Sequence, residues 1–181
     1  MGMGAFNARR GAKNFTDEEF VKAVRYCHVR GCKVYVTLNN LVNDREMRDA
    51  VAAAKLASDA GADALIVQDL GMSYAIRCAL PDIPLHASTQ MSLHNLAGVE
   101  AAAEMGITRA VLARELSFEQ IRFITKNASI ETEVFVHGAL CVSYSGNCLM
   151  SGLIGYRSGN RGRCVGSCRK PYELLERESG K

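Results

Sequence analysis

Residues 61–69 read Gly61-Ala62-Asp63-Ala64-Leu65-Ile66-Val67-Gln68-Asp69. A glycine closes what precedes it, four apolar residues follow without interruption, and two polar residues end the run. Four consecutive apolar residues suit a strand covered on both faces, as in a parallel sheet wrapped by helices. Just upstream, residues 46–60 carry helical patterning that Gly61 stops.

The same unit recurs in both directions. Toward the N-terminus, Thr16-Asp17-Glu18-Glu19 combines a capping residue with first-turn carboxylates, and Phe20, Val21, Val24 and Val29 continue an apolar face to Gly31. The β-branched run Lys33-Val34-Tyr35-Val36-Thr37-Leu38 then reads as a strand ended by Asn39-Asn40. Toward the C-terminus, helices are expected at residues 70–80, 95–105 and 118–126, the last capped by Ser117. Strands are expected at 84–88, 109–113 and 132–136.

Repeated β/α units imply parallel strands joined by helical crossovers. No Gly-rich dinucleotide fingerprint follows any strand, and polar residues stand at the end of every strand rather than at one switch point. Both features favour an α/β fold built as a partial (β/α) TIM-type barrel, with one rim carrying Asn39, Gln68, Asp69, Ser88, Thr89, Gln90, Arg114, Glu115 and His137. Fewer than eight strands are visible, and Met1-Gly2-Met3-Gly4 opens the chain as if after a first β/α unit. The expected organisation is therefore a barrel portion over 1–138 lacking that unit, a Cys/Gly/Arg-rich segment over 139–172, and a truncated continuation over 173–181.

Composition sets broad limits. The 181 residues are 48% hydrophobic, enough for a real core, and 22 basic against 19 acidic residues leave a net charge of only +3. That balance does not by itself announce a nucleic-acid or membrane partner. Residues 1–13 contain no apolar signal-peptide core, and no run of about 18 apolar residues occurs, so a cytoplasmic protein without a membrane span is expected. In a reducing compartment seven cysteines point away from structural disulfides. Cys27, Cys32 and Cys78, in helical or pre-strand segments, are expected to be small buried hydrophobes.

The other four, Cys141, Cys148, Cys164 and Cys168, fall within 28 residues rich in Gly, Ser, Asn and Arg. Four thiolates among glycines that permit tight backbone folding suit a soft metal centre. Zinc is the first competitor, although only Cys164 and Cys168 show the close pairing of structural zinc sites. From Val134 to Tyr172 there is no acidic residue, whereas Arg157, Arg161, Arg163, Arg169 and Lys170 are basic. Such a surround would offset the negative charge of a thiolate-held [4Fe–4S] cluster. Cysteines buried without a metal under a basic loop are the plain alternative. The arginines within 157–170 could equally contact RNA phosphates.

Specific blocks resemble the U32 peptidase family. They are Glu133-Val134-Phe135-Val136-His137-Gly138-Ala139-Leu140-Cys141 and Gly146-Asn147-Cys148-Leu149-Met150-Ser151. Phe6-Asn7-Ala8-Arg9, Lys13-Asn14-Phe15, Ser88-Thr89-Gln90, Ala113-Arg114-Glu115-Leu116, Gly162-Arg163-Cys164 and Cys168-Arg169-Lys170-Pro171-Tyr172 support them in the same order. The resemblance implies a β/α barrel that extends beyond both ends of this chain. It implies either collagenase-like peptidase activity or a role in hydroxylating tRNA uridine, ribosomal RNA cytidine or ubiquinone precursors, in some members with a partner subunit. It also implies a [4Fe–4S] cluster on Cys141, Cys148 and Cys164, with Cys168 or a residue further downstream as the fourth ligand.

Other candidates follow from rim chemistry. Ser88, Thr89, Gln90 and Asn39 offer hydrogen bonds to a substrate, and Arg114 offers a fork for a carboxylate or phosphate. Glu115 is a candidate base or the partner of Arg114 in a rim ion pair. His137 next to Cys141 suggests a thiol protease, but no further group is evident to orient its ring. A non-catalytic binding module is the remaining class. His86 is expected to be packed within its strand, and His28 and His94 to be ordinary helix or loop residues.

Overall fold

The computed structural model describes residues 1–4, 6–8, 11, 13–138 and 140–173. The motif residues Arg9 and Ala139, and most of the expected continuation over 173–181, lie outside the described residues. Five β/α units follow one another: α1 (Asp17–His28), β1 (Tyr35–Leu38), α2 (Asp44–Asp59), β2 (Ala64–Val67), α3 (Leu70–Ala79), β3 (Leu85–Ala87), α4 (Leu96–Glu104), β4 (Ile107–Val111), α5 (Phe118–Asn127) and β5 (Glu131–Glu133). The strands form one parallel sheet in the order β1-β2-β3-β4-β5. Sequential order without reversal is the arrangement of a barrel wall and not of a doubly wound sheet. Ahead of β1, Gly2 forms a parallel bridge to Thr37, and the Thr37 N–H donates to the Met1 carbonyl at 2.8 Å.

Local chemistry fixes the helix starts. At α1 the Thr16 hydroxyl accepts from the Glu19 N–H at 3.2 Å, while the Glu19 carboxylate accepts from the Thr16 N–H at 2.9 Å. Asn43 with Glu46 and Ser117 with Gln120 repeat this reciprocal capping at α2 and α5. The tight returns into β2 and β4 use Gly61 at φ +92° and Gly106 at φ +83°, backbone states that cost a side-chain-bearing residue strain.

The core lies between the sheet and its helices. Val36, Leu38, Leu65, Val67, Leu85 and Ala87 meet Phe20, Val24, Ala50, Ala54, Met72, Ile76 and Val99, all buried. The other face of the sheet differs. Register aligns Thr37, Ile66, His86, Arg109 and Glu131 in one row across five strands. Arg109 bonds Glu131 at 2.6 Å and Glu133 at 3.4 Å, and its guanidinium lies 5.3 Å from the Tyr35 ring centroid. Tyr35 in turn meets His86 edge-on at 4.9 Å. His86 is packed as expected; burial and the Arg109 charge push its pKa down to about 4, so it is neutral near pH 7.

Two expectations change. The last strand ends at Glu133, and Val134, Phe135 and Val136 are exposed beyond it. Among the described residues β5 has a neighbour on one side only, so nothing holds its continuation extended. Cys32 and Cys78 are exposed, on a loop past Gly31 and on α3; only Cys27 packs partly against the core.

Candidate functional site

The C-terminal ends of the strands bring the predicted rim residues together. Asn39, following β1, donates from Nδ2 to the Ser88 hydroxyl at 3.2 Å and accepts from the Ala8 N–H at 3.0 Å. A 3-10 turn at Thr89–Met91 begins with Ser88, whose hydroxyl accepts from the Gln90 N–H at 3.3 Å. The Thr89 hydroxyl donates to the Leu112 carbonyl at 3.2 Å, which ties the ends of β3 and β4. Gln68, past β2, donates from Nε2 to the Gln90 carbonyl at 3.4 Å. Asp69 is occupied structurally, capping α3 and accepting from the Val42 N–H.

Over this rim sits the Cys-rich segment. Its 3-10 turn Tyr144–Gly146 is seated by Glu115, whose carboxylate accepts from the Ser145 N–H at 2.6 Å and from the Ser145 hydroxyl at 2.7 Å. Of the two roles open to Glu115, base or partner of Arg114, neither is its main contact: Glu115 serves Ser145, and Arg114 donates from Nη2 to the Ser143 carbonyl at 3.4 Å. Burial would raise the Glu115 pKa, but the two Ser145 hydrogen bonds and the Arg114 charge outweigh it and hold the carboxyl below its usual range. Further along, Asn147 donates to the Ser92 hydroxyl at 2.6 Å and Asn160 to the Asn147 carbonyl oxygen at 3.2 Å. Arg161 pairs with Glu46.

His94 is a rim residue that sequence reasoning missed. Its ring stacks on Tyr144 at 4.9 Å, and its Nε2 stands 3.4 Å from the Glu115 carboxylate. Its Nδ1 lies 2.6 Å from the Ser92 carbonyl oxygen, but no local pattern marks its place at the rim, because Glu115 and Tyr144 lie 21 and 50 residues away in the chain. His137, by contrast, is exposed on the loop after β5, and no hydrogen bond or ion pair orients it among the described residues.

The four cysteines are unequally organised. Cys148 is half-buried, and its sulfur accepts from the Met150 N–H at 3.3 Å. The Cys164 sulfur accepts from the Gly166 N–H at 3.3 Å and from the Ser151 hydroxyl at 3.7 Å. Gly159 lies beside both, since a Cβ there would stand 3.6 Å from the Cys148 carbonyl oxygen and 3.7 Å from the Cys164 Cβ. Arg169 donates to the Leu140 carbonyl at 2.7 Å, joining the backbone that flanks Cys168 to the backbone that flanks Cys141. Hydrogen bonds donated to sulfur stabilise thiolates, and the donor set is soft and surrounded by cations, which fits an iron–sulfur centre in chemistry. Among the described residues, no three His, Cys, Asp or Glu side chains converge to hold a metal ion. No helix among them is long and apolar enough to cross a membrane.

Comparison with known proteins adds the following. The 23S rRNA 5-hydroxycytidine synthase of Escherichia coli (strain K12) is 40% identical over 176 residues, 97% of this chain and 26% of that protein. The tRNA hydroxylation protein P of the same organism is 36% identical, with 97% of this chain matching 39% of its length. A collagenase of Porphyromonas gingivalis is 33% identical, with 99% of this chain matching 45% of its length. The chain thus spans less than half the length of each of these relatives. A solved structure of a U32 peptidase superposes with a TM-score of 0.67 at 15% identity, covering 94% of this chain and 73% of that one, so the barrel architecture is shared. The model of peptidase family U32 matches residues 1–181, and the chain belongs to that family.

Proposed function

We propose that the chain is the rim-bearing portion of a cytoplasmic enzyme that hydroxylates a pyrimidine of tRNA or ribosomal RNA. The observation that carries this reading is the seating of the Cys-rich segment directly on the polar strand ends, through Glu115 and Ser145. Redox-capable donors and hydrogen-bonding groups thereby share one end of the barrel. Relatives named for rRNA and tRNA hydroxylation support the same assignment.

Hydroxylation replaces a C–H bond with C–OH, a net two-electron oxidation of the base, so a co-substrate must donate the oxygen atom and take up the two electrons. Cys141, Cys148 and Cys164, with Cys168 as the fourth candidate, would hold a [4Fe–4S] cluster, with zinc as the competing occupant. The cluster would supply electron transfer beside the rim. Exposed Arg157, Arg163, Arg169 and Lys170 would track the phosphate backbone, and exposed Tyr144 and Tyr156 offer faces on which bases can stack. Peptidase chemistry, suggested by the collagenase relative, has weaker support, because His137 lacks an orienting partner among the described residues.

The test is nucleoside mass spectrometry on RNA from cells lacking the gene and complemented with the full protein. The wild type should restore a hydroxylated pyrimidine, and Cys148→Ala should abolish it. Unchanged RNA alongside peptide cleavage that survives iron removal would overturn the reading.

A further inference from the structure

Ser151 lies just past Cys148 on a short helix, α6 (Met150–Gly155), and is 3% exposed although Leu149 and Leu153 on either side are open to solvent. A segment that buries no apolar side chain among the described residues thus buries a hydroxyl. Buried hydroxyls are retained where they are hydrogen-bonded, so the partners of Ser151 define what it does.

Three groups meet its oxygen. The Val165 N–H donates to it at 3.4 Å, and the hydroxyl oxygen of Ser167, also buried, stands 3.5 Å away. The Cys164 sulfur lies at 3.7 Å, a hydrogen-bond distance for an atom of that size. A hydroxyl has one hydrogen and two lone pairs. The Val165 N–H takes one lone pair and the Ser167 hydroxyl can donate to the other, which leaves the single Ser151 hydrogen for the sulfur. The same sulfur accepts from the Gly166 N–H at 3.3 Å, so two donors converge on Cys164. The Cys148 sulfur accepts from the Met150 N–H alone among the described residues.

We infer that Ser151 is a positioning residue for the redox centre: its hydroxyl donates to the Cys164 ligand sulfur and raises the reduction potential. The inference rests on the cluster reading above and deepens it. One-electron reduction places added negative charge on the ligand sulfurs. A donor aimed at such a sulfur stabilises that charge and favours the reduced form. The Val165 and Ser167 contacts set the direction of the O–H bond in advance, and burial keeps water from competing for it. Arg157, Arg161, Arg163, Arg169 and Lys170 spread positive charge over the whole segment. Ser151 differs from them in acting on one named sulfur at contact distance.

The test is potentiometry of the full protein, purified without oxygen and reduced stepwise with dithionite, followed by electron paramagnetic resonance of the reduced cluster. Ser151→Ala should lower the midpoint potential by an amount on the order of tenfold in the reduction equilibrium, about 59 mV for one electron, with iron and sulfide content unchanged. Ser151→Thr, which keeps the hydroxyl, should restore the wild-type value. A merely structural role would alter cluster content or thermal melting and leave the potential where it was. A measurement on the wild type alone covers an alanine variant that does not assemble. Electron–nuclear double resonance shortly after transfer into D2O should show loss of a coupled proton that exchanges as a hydroxyl does, ahead of the Gly166 amide. Equal potentials in wild type and Ser151→Ala, or absence of that fast-exchanging proton, would overturn the inference while leaving the cluster. Wild-type protein that holds no iron, or zinc in its place, would overturn the cluster reading and the inference together.

Discussion

The barrel portion and the Cys-rich segment are built on opposite principles. Every buried large apolar side chain in the described structure precedes residue 125, from Met3 and Phe20 to Ile124. The segment after β5 buries Ser145, Ser151 and Ser167 instead, while Leu149, Leu153 and Tyr156 are 67%, 78% and 93% exposed. Its backbone is also less relaxed: Ser145 at φ +39° and Tyr156 at φ +53° adopt left-handed states, as does Ser92 beneath it at φ +60°. Such states cost about 1 kcal/mol or more each in residues with a Cβ. The barrel is stabilised by its own burial, whereas the segment is held by hydrogen bonds to the rim.

Core truncation breaks this contrast most severely. Leu65 is fully buried on β2, an interior strand of the sheet, so Leu65→Ala should destabilise the chain by about 2–5 kcal/mol in chemical denaturation. Leu153→Ala, the same change on the exposed segment, should move stability by no more than about 0.5 kcal/mol. Comparable losses at both positions would mean that the segment belongs to the cooperative core.

The contrast also explains what could be read from sequence. Local rules acted in the barrel: the Thr16 and Ser117 caps, the Gly61 stop and the apolar run from Ala64 to Val67 all became the elements they signalled. Parallel order then brought Asn39, Ser88 and Gln90 to one rim. The contacts of Glu115 with Ser145 and of Asn147 with Ser92 span 30 and 55 residues and involve short polar side chains without periodicity. For the same reason nothing local marks His94 as more than an ordinary helix or loop residue, and Glu115 stays open in the sequence between a base and the partner of Arg114. The cysteines stand out in the sequence as a candidate donor set by residue type alone, and among the described residues no three of them converge.

Acid should separate the regions next. The His86 pKa is lowered from its ordinary 6.5 to about 4, so between those values the unfolded chain binds a proton that the folded barrel refuses. The corresponding stability is fully present above about pH 6.5 and is lost as pH falls toward 4. The loss should reach about 2–3 kcal/mol near pH 4. His86→Phe keeps a ring against Tyr35 and removes the titrating group, so denaturant midpoints measured from pH 7 to 4 should fall less steeply in the variant. Parallel slopes would show that His86 is protonated within the fold at little cost.

The smallest global effect is expected where the two regions meet. Glu115 supplies the carboxylate that accepts both the N–H and the hydroxyl of buried Ser145. Hydrogen bonds to a charged group are worth about 1.5–3 kcal/mol, but here they hold a segment that, among the described residues, contributes no apolar side chain to the core. Glu115→Ala should therefore release the segment locally, raising amide exchange and protease cleavage between residues 140 and 170, and lower the melting temperature of the barrel only slightly. Glu115→Gln, which retains one acceptor, should recover part of the protection. Acid should reproduce the release in the wild type, because a carboxyl held below its usual pKa loses its contribution as pH falls through its folded value. A barrel that unfolds together with the segment in Glu115→Ala would mean that the joint helps to hold the barrel itself, and that the two regions are one cooperative unit.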